Sequence, residues 1–367
     1  MKFICDKQML IESVASVQRA VSTKSTLPAL EGILVRASGS SLFLAGYDLE
    51  IGITTTIEAQ VQEGGSIVLS ARQFGDIVRR LPDDIVTISA DEKLSVMISS
   101  GSADFTIMGI SATDYPELPS VDDGVGLSVP QNTIKSMIRQ TLFAVAPPDS
   151  GRQVHTGTLF EVSPDMLRLV SVDGSRLAMR SEPIKSNESM KFVVPGKTLS
   201  EVLKLLQDED MPLFMAVGRR HIIMQIDGYA VISRLLDGEF LAYQKAIPQT
   251  AATTVKVKTR ELTDAVERVS LVNNDRVKVP LVCRFDSNKI LLSCSTAIGS
   301  AKDSVNCTIE GAGDEIGFNS RFLLDALKNT ETDEVTLELS GSTAAMKMLP
   351  AEGDAFLFLV LPVRMKK

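Results

Sequence analysis

Apolar residues recur along this chain in two spacings, and each spacing predicts an element. Near the start, Phe3-Ile4-Cys5 reads as a strand, with Asp6 placed to cap a helix after it. Leu10, Val14, Val17 and Val21 then fall on one face at helical spacing and predict that helix. Ile33-Leu34-Val35 and Leu42-Phe43-Leu44 read as strands joined through Ser38-Gly39-Ser40. The stretch 51–57, rich in β-branched residues, reads as another. Ile67-Val68-Leu69 leads into a second helix over 71–81, stopped by Pro82. The segments 85–89, 94–99 and 103–108 close the series as a meander.

The series occurs three times. The strand-to-helix junctions beginning at Ile67, Phe192 and Ile316 match, at offsets of 125 and 124 residues. Such a period is a whole domain, beyond the roughly 20–50 residues of a solenoid unit. The second copy predicts a helix over 133–145 with Ile134, Ile138 and Leu142 on one face. A hairpin over 159–162 and 167–170, a helix over 198–206, and strands over 222–226 and 230–235 come after it. In the third copy Thr259 is placed to cap a helix with Leu262, Val266 and Val269 inward. Strands 281–285 and 290–294 pair around Asp286-Ser287-Asn288-Lys289, and 321–328 is the second helix. Turn-rich stretches at 122–126 and 248–253 set domains at 1–124, 125–249 and 250–367. The predicted class is α+β: three repeated domains, each with two helices packed on antiparallel sheets.

Hydrophobic content of 44% and charged content of 23% are those of an ordinary globular protein. No apolar run approaches the roughly 18 residues of a membrane span. Charges at Lys2 and Asp6, with no apolar run behind them, predict no signal peptide. Cys5, Cys283, Cys294 and Cys307 form no CxxC pair, and His155 and His221 are the only histidines. No zinc site is expected, and the thiols read as reduced core residues of a cytoplasmic protein. Pro195-Gly196-Lys197-Thr198 ends like a P-loop, but Lys191 stands where the motif needs its first glycine. The GxGxxG, GxSxG, HExxH and EF-hand patterns are absent. An enzyme with its site at a domain boundary is the alternative class, and no catalytic constellation supports it. A purely structural scaffold is another.

A formal net charge of −8 argues against a nucleic-acid partner. The second helices argue for one. Arg72, Lys197 and Arg321 are equivalent, as are Arg79, Lys204 and Lys328. Seven residues separate each pair, about two turns, so both lie on one face. Phe74, Val78 and Leu81 lie roughly opposite, as do Leu199, Leu203 and Leu206, and Leu323 and Leu327. A solvated helix face accounts for one such pair. Three in register, all of one sign, in an acidic chain, point to phosphate. Trp is absent and no aromatic row interleaves the cations, which favours duplex backbone over single strands.

Short motifs run in one order along the chain: Met1-Lys2-Phe3, Leu27-Pro28-Ala29-Leu30, Asp48-Leu49-Glu50, Asp114-Tyr115-Pro116, the stretch from Val172 to Leu177, Gly238-Glu239-Phe240 and Leu361-Pro362-Val363-Arg364. With the threefold repeat, they resemble the bacterial β sliding clamp family, processivity subunits of DNA polymerase III. The resemblance covers the whole chain. It implies the DNA clamp fold and a head-to-tail homodimer, a ring around duplex DNA with twelve helices lining the hole. Twelve helices at about 9 Å spacing leave a hole of roughly 23 Å, enough for a duplex. The family tethers the replicative polymerase and is not catalytic. Its implied partners are duplex DNA without sequence preference, the polymerase III alpha subunit, the clamp loader and other proteins carrying clamp-binding motifs. No cofactor, metal or membrane is implied.

The DNA-facing set becomes Lys24, Arg72, Arg79, Arg80, Arg139, Arg152, Lys197, Lys204, Arg321 and Lys328. The resemblance sets Phe105 and Ile107 against Leu271 and Val272 across the dimer interface. Its partner-peptide pocket maps to His155, Val172, Gly174, Ser175, Arg176, Leu177, Leu241, Lys245, Ala246, Ala345, Leu359, Leu361, Pro362, Val363 and Arg364. His155, Val172, Leu241 and Leu361 depart from the family's common Leu, Thr, Pro and Met. Leu177 and Leu361, taken alone, read equally as core.

Overall fold

In the computed structural model, which describes residues 1–121, 123–273 and 279–365, the backbone forms two compact units. One holds residues 1–131 and 204–235, the other 132–203 and 236–367, so the second copy of the repeat is shared between them.

The first unit contains a five-stranded antiparallel sheet in the order Gln60–Glu63, Lys2–Asp6, Ile85–Ala90, Ser95–Ser100, Ala103–Met108. A nine-stranded sheet runs from Ile110–Ser111 through Gly32–Ser38 and Ile51–Glu58 to Val125–Pro130. Within it Ile51–Glu58 of the first copy pairs antiparallel with Tyr229–Arg234 of the second. Helices α1 (Lys7–Val17) and α2 (Ala71–Val78) pack together. Asp6 caps α1, accepting the Met9 amide at 2.8 Å.

Both helices are shorter than expected. α1 passes through a single 3₁₀ turn, Gln18–Ala20, and Val21 is extended. There the strand Ser41–Tyr47 crosses the helix end at Gly46, where a Cβ would lie 2.0 Å from the Val17 carbonyl oxygen. α2 stops at Val78 instead of Leu81, its end tightened by bonds from Arg80 to Ile77 and from Leu81 to Val78 before Pro82. Leu94 lies in a turn at φ 64°, so the strand expected from it starts at Ser95. Gln60–Glu63, polar and short, escaped the hydrophobic pattern.

The second unit contains a nine-stranded sheet from Met190–Pro195 through Arg176–Pro183 and Phe356–Val360 to Thr308–Gly311, and a four-stranded sheet, Gly299–Asn306, Lys289–Thr296, Leu281–Asp286, Asp314–Phe318. Its helices are α3 (Gln131–Leu142, inside this unit from Asn132), α4 (Gly196–Leu203), α5 (Thr259–Ser270) and α6 (Ser320–Lys328). α3 and α4 each begin two residues earlier and end three earlier than expected. Thr259 does not cap α5. It is the first helical residue, and its hydroxyl donates instead to the Thr332 carbonyl at 2.7 Å. Ser287 and Asn288 take positive φ in the hairpin turn, as a two-residue hairpin loop requires. Leu262, Val266 and Val269 of α5 and Leu323, Ala326 and Leu327 of α6 share one core with Phe285, Phe318 and Phe358. Each large apolar side chain buried there contributes about 1.5–3 kcal/mol.

Candidate nucleic-acid and partner interfaces

All ten cations of the DNA-facing set are exposed. The first member of each equivalent pair, Arg72, Lys197 and Arg321, is the second residue of its helix. The helix dipole disfavours a cation there by about 0.3–1 kcal/mol. The dipole alone therefore does not select a cation there. Arg79, Lys204 and Lys328 stand at or just past the C-termini, where the dipole favours them. Arg79 donates to Asp76 at 2.8 Å, and Lys328 pairs with Glu267 of α5 at 2.5 Å. The bond from Arg79 holds the Asp76 carboxyl below the usual range.

The second unit gathers much of the peptide-pocket set into an apolar cluster. Strand register puts Val172 opposite Leu177 and Leu177 opposite Leu359, a row across three strands. Val154 and Tyr243 join this row, with Phe240, Leu236 and Ala345 packed against it. Tyr243 is the buried anchor of the 3₁₀ turn Tyr243–Ala246. Its hydroxyl donates to Glu161 at 2.5 Å, and burial, then Glu161, push its pKa up to about 12. This turn presents Lys245 and Ala246, both exposed.

Around the row the rim stays open. Leu241, Leu361 and Val363 are 39–41% exposed. Gly174 sits at φ 90°, and a Cβ there would meet nothing within 4 Å, so the turn leaves free space above it. Asp173 shapes that turn by accepting the Ser175 and Arg176 amides at 2.9 and 3.1 Å. The final segment is tied at both ends: Leu361 donates to the Ser175 carbonyl at 3.0 Å and Val363 to the Gly317 carbonyl at 2.8 Å. Pro362 bridges Phe318, and Arg364 is exposed. His155 is 8% exposed and meets Phe240 edge-to-face at 5.4 Å. Burial, then Arg152, lowers its pKa, so the imidazole is neutral near pH 7.

Arg176 departs from its expected place. Its guanidinium turns out of the apolar row into a cage of Asp173, Asp325, Phe322 and Phe143, with 11% of the side chain exposed. These contacts hold its guanidinium in place beside the turn. Tyr243, Phe240 and Asp173 were missed by sequence reasoning, although the polar turn Asp173-Gly174-Ser175 was a signal for the last.

The dimer set is mixed. Leu271 is 82% exposed, whereas Ile107 is already buried at 6%. Phe105 and Val272 are half-buried, and Val272 packs on the core of its own unit. Phe105 and Ile107 lie on the edge strand Ala103–Met108 and line, with Arg72, Asp76 and Ile77 of α2, a cleft of about 480 Å³. Gly299–Asn306 is likewise an edge strand.

The cysteines are free thiols. Burial pushes Cys5 and Cys283 up to about 12. Among the described residues no helix is long and apolar enough to cross a membrane.

Models of the DNA polymerase III beta subunit match along the chain: the N-terminal domain at residues 1–119, the central domain at 128–241 and the C-terminal domain at 244–364. The beta sliding clamp of Bacillus subtilis (strain 168) is 32% identical over 377 residues, covering 99% of this chain and all of that protein. A solved structure of a putative DNA polymerase III beta subunit from Eubacterium rectale superposes with a TM-score of 0.95 at 34% identity, covering 99% of each chain. A sliding clamp from Pseudomonas aeruginosa, solved bound to griselimycin, gives 0.93 at 28% identity over the full length of both.

Proposed function

Because the chain belongs to the DNA polymerase III beta subunit family, we propose that it is a sliding clamp, which encircles duplex DNA and tethers the replicative polymerase. The reading includes three clamp domains at 1–124, 125–249 and 250–367, which the three matched family models support. Two chains close head to tail into a ring in the cytoplasm. Leu271, exposed on one protomer, fits the cleft beside Phe105 on the other, and the edge strands Ala103–Met108 and Gly299–Asn306 offer unpaired backbone groups to one another. The two patches are complementary rather than identical, so the contact is heterologous, and two three-domain chains close the proposed six-domain ring.

The observation that carries the DNA-facing reading is the cation at the second position of α2, α4 and α6. DNA is threaded rather than gripped. Phosphates are met without base contacts, so the clamp slides. The apolar row Val172–Leu177–Leu359, open at its rim, supports a site for a short linear peptide with aliphatic and aromatic anchors, carried by the polymerase alpha subunit and the clamp loader. No chemical step is assigned to the chain.

The test is topological. Once loaded on nicked circular DNA, the protein stays bound through gel filtration and is lost after linearisation. Equal retention on linear and circular DNA overturns the reading.

A further inference from the structure

We infer that the Arg176–Asp325 pair ties the partner pocket to the DNA-facing helix: Asp325 positions the pocket turn through Arg176, and Arg176 in turn masks an acidic charge on α6. This rests on the reading that the pocket binds peptide and that α6 faces DNA.

One end of the device is the pocket. Arg176 closes the turn that begins at Asp173, and Ser175 in the same turn accepts from Leu361 of the rim. The other end is α6. The Arg176 guanidinium donates through Nη1 to Asp325 and through Nε to Asp173 at 2.9 Å. It lies 4.5 Å from the Phe322 ring centroid and 5.6 Å from that of Phe143. The two carboxylates and two aromatic faces hold a planar cation better than they would a lysine.

Asp325 stands four residues after Arg321 and three before Lys328, on the helix side that carries both cations. An unpaired carboxylate there opposes phosphate binding. Paired with Arg176, its charge is cancelled, and the face stays cationic. Loss of Arg176 therefore has two effects of separate origin: the turn loses its brace, and α6 gains a bare negative charge.

Full-length Arg176→Gln, Asp325→Asn and the double variant are compared with the wild type after each is shown to keep its melting temperature and dimer mass. One titration uses a fluorescent 20-base-pair duplex at low salt. The other uses a fluorescein-labelled peptide with two leucines and a terminal phenylalanine. Arg176→Gln is expected to weaken duplex binding by about threefold or more, and adding Asp325→Asn to restore it, a rescue that damage to the fold cannot give. Asp325→Asn alone is expected to leave duplex affinity within about twofold yet weaken peptide binding by about threefold or more, although Asp325 lies outside the groove. In the Arg176→Gln background it weakens peptide binding no further. If Asp325→Asn strengthens duplex binding equally with and without Arg176, or leaves peptide affinity unchanged, the inference is overturned. A wild type that binds neither probe overturns the underlying reading instead.

Discussion

His155 shows how one side chain carries two constraints. Where the family commonly has leucine, this chain buries an imidazole against Phe240. Burial lowers its pKa from 6.5, with Arg152 adding to the effect. A histidine depressed in the folded state supports folding above its unfolded pKa. That support is lost as pH falls below about 6.5, because the unfolded chain takes up the proton first. His221 is shifted in the same direction, so it retains a share of the acid sensitivity. Melting temperature should therefore fall between pH 7.5 and 5.5, and fall less in His155→Leu, by about 1 °C or more. Equal falls in the two proteins would exclude His155 as a source.

At the scale of elements, the second helices matter more for what they expose than for what they bury. Their apolar faces are satisfied by their own sheets, and their cations stay outside. Converting Arg72, Arg79, Lys197, Lys204, Arg321 and Lys328 to Glu should flatten the salt dependence of duplex binding. Each phosphate that is no longer neutralised takes about 0.9 off the slope of log affinity against log salt. Dimer mass should be unchanged. Arg79 and Lys328 already pair with Asp76 and Glu267, so the singles Arg72→Glu and Arg321→Glu should cost more than Arg79→Glu and Lys328→Glu. An unaltered salt slope in the sixfold variant would remove these helices from the DNA face.

For the whole molecule, the proposed ring turns on the contact that would close it. Leu271 is 82% exposed, an apolar side chain with no use in the isolated chain. Burying it at the proposed interface would contribute about 1.5–3 kcal/mol, whereas Val272, already packed on the core of its own unit, adds less. Changing Leu271 to Glu should give monomers by light scattering, with the fold of each protomer retained. Ile107 is a poorer target. It is buried in its own sheet at 6%, and Ile107→Glu should unfold that sheet before it tests the interface. An unchanged dimer mass in Leu271→Glu would place the contact elsewhere.

The sequence by itself determined the three copies, the type of each helix and most strands, and the face each helix buries, because periodicity records burial locally. It also placed the cations of α2, α4 and α6, since those positions repeat at fixed offsets. It misplaced helix ends, at Val17 and Val78, because crossings such as Gly46 over Val17 and final 3₁₀ turns are set by neighbours. Three things were decided only by tertiary structure. Strand Ile51–Glu58 pairs with Tyr229–Arg234, which divides the second copy between two compact units. Leu177 and Leu359 stand side by side on neighbouring strands although far apart in sequence. Arg176 donates its charge-assisted bond to Asp325, 149 residues on. Long-range strand register and the pairing of buried charge depend on which surfaces meet, and local pattern carries no record of that.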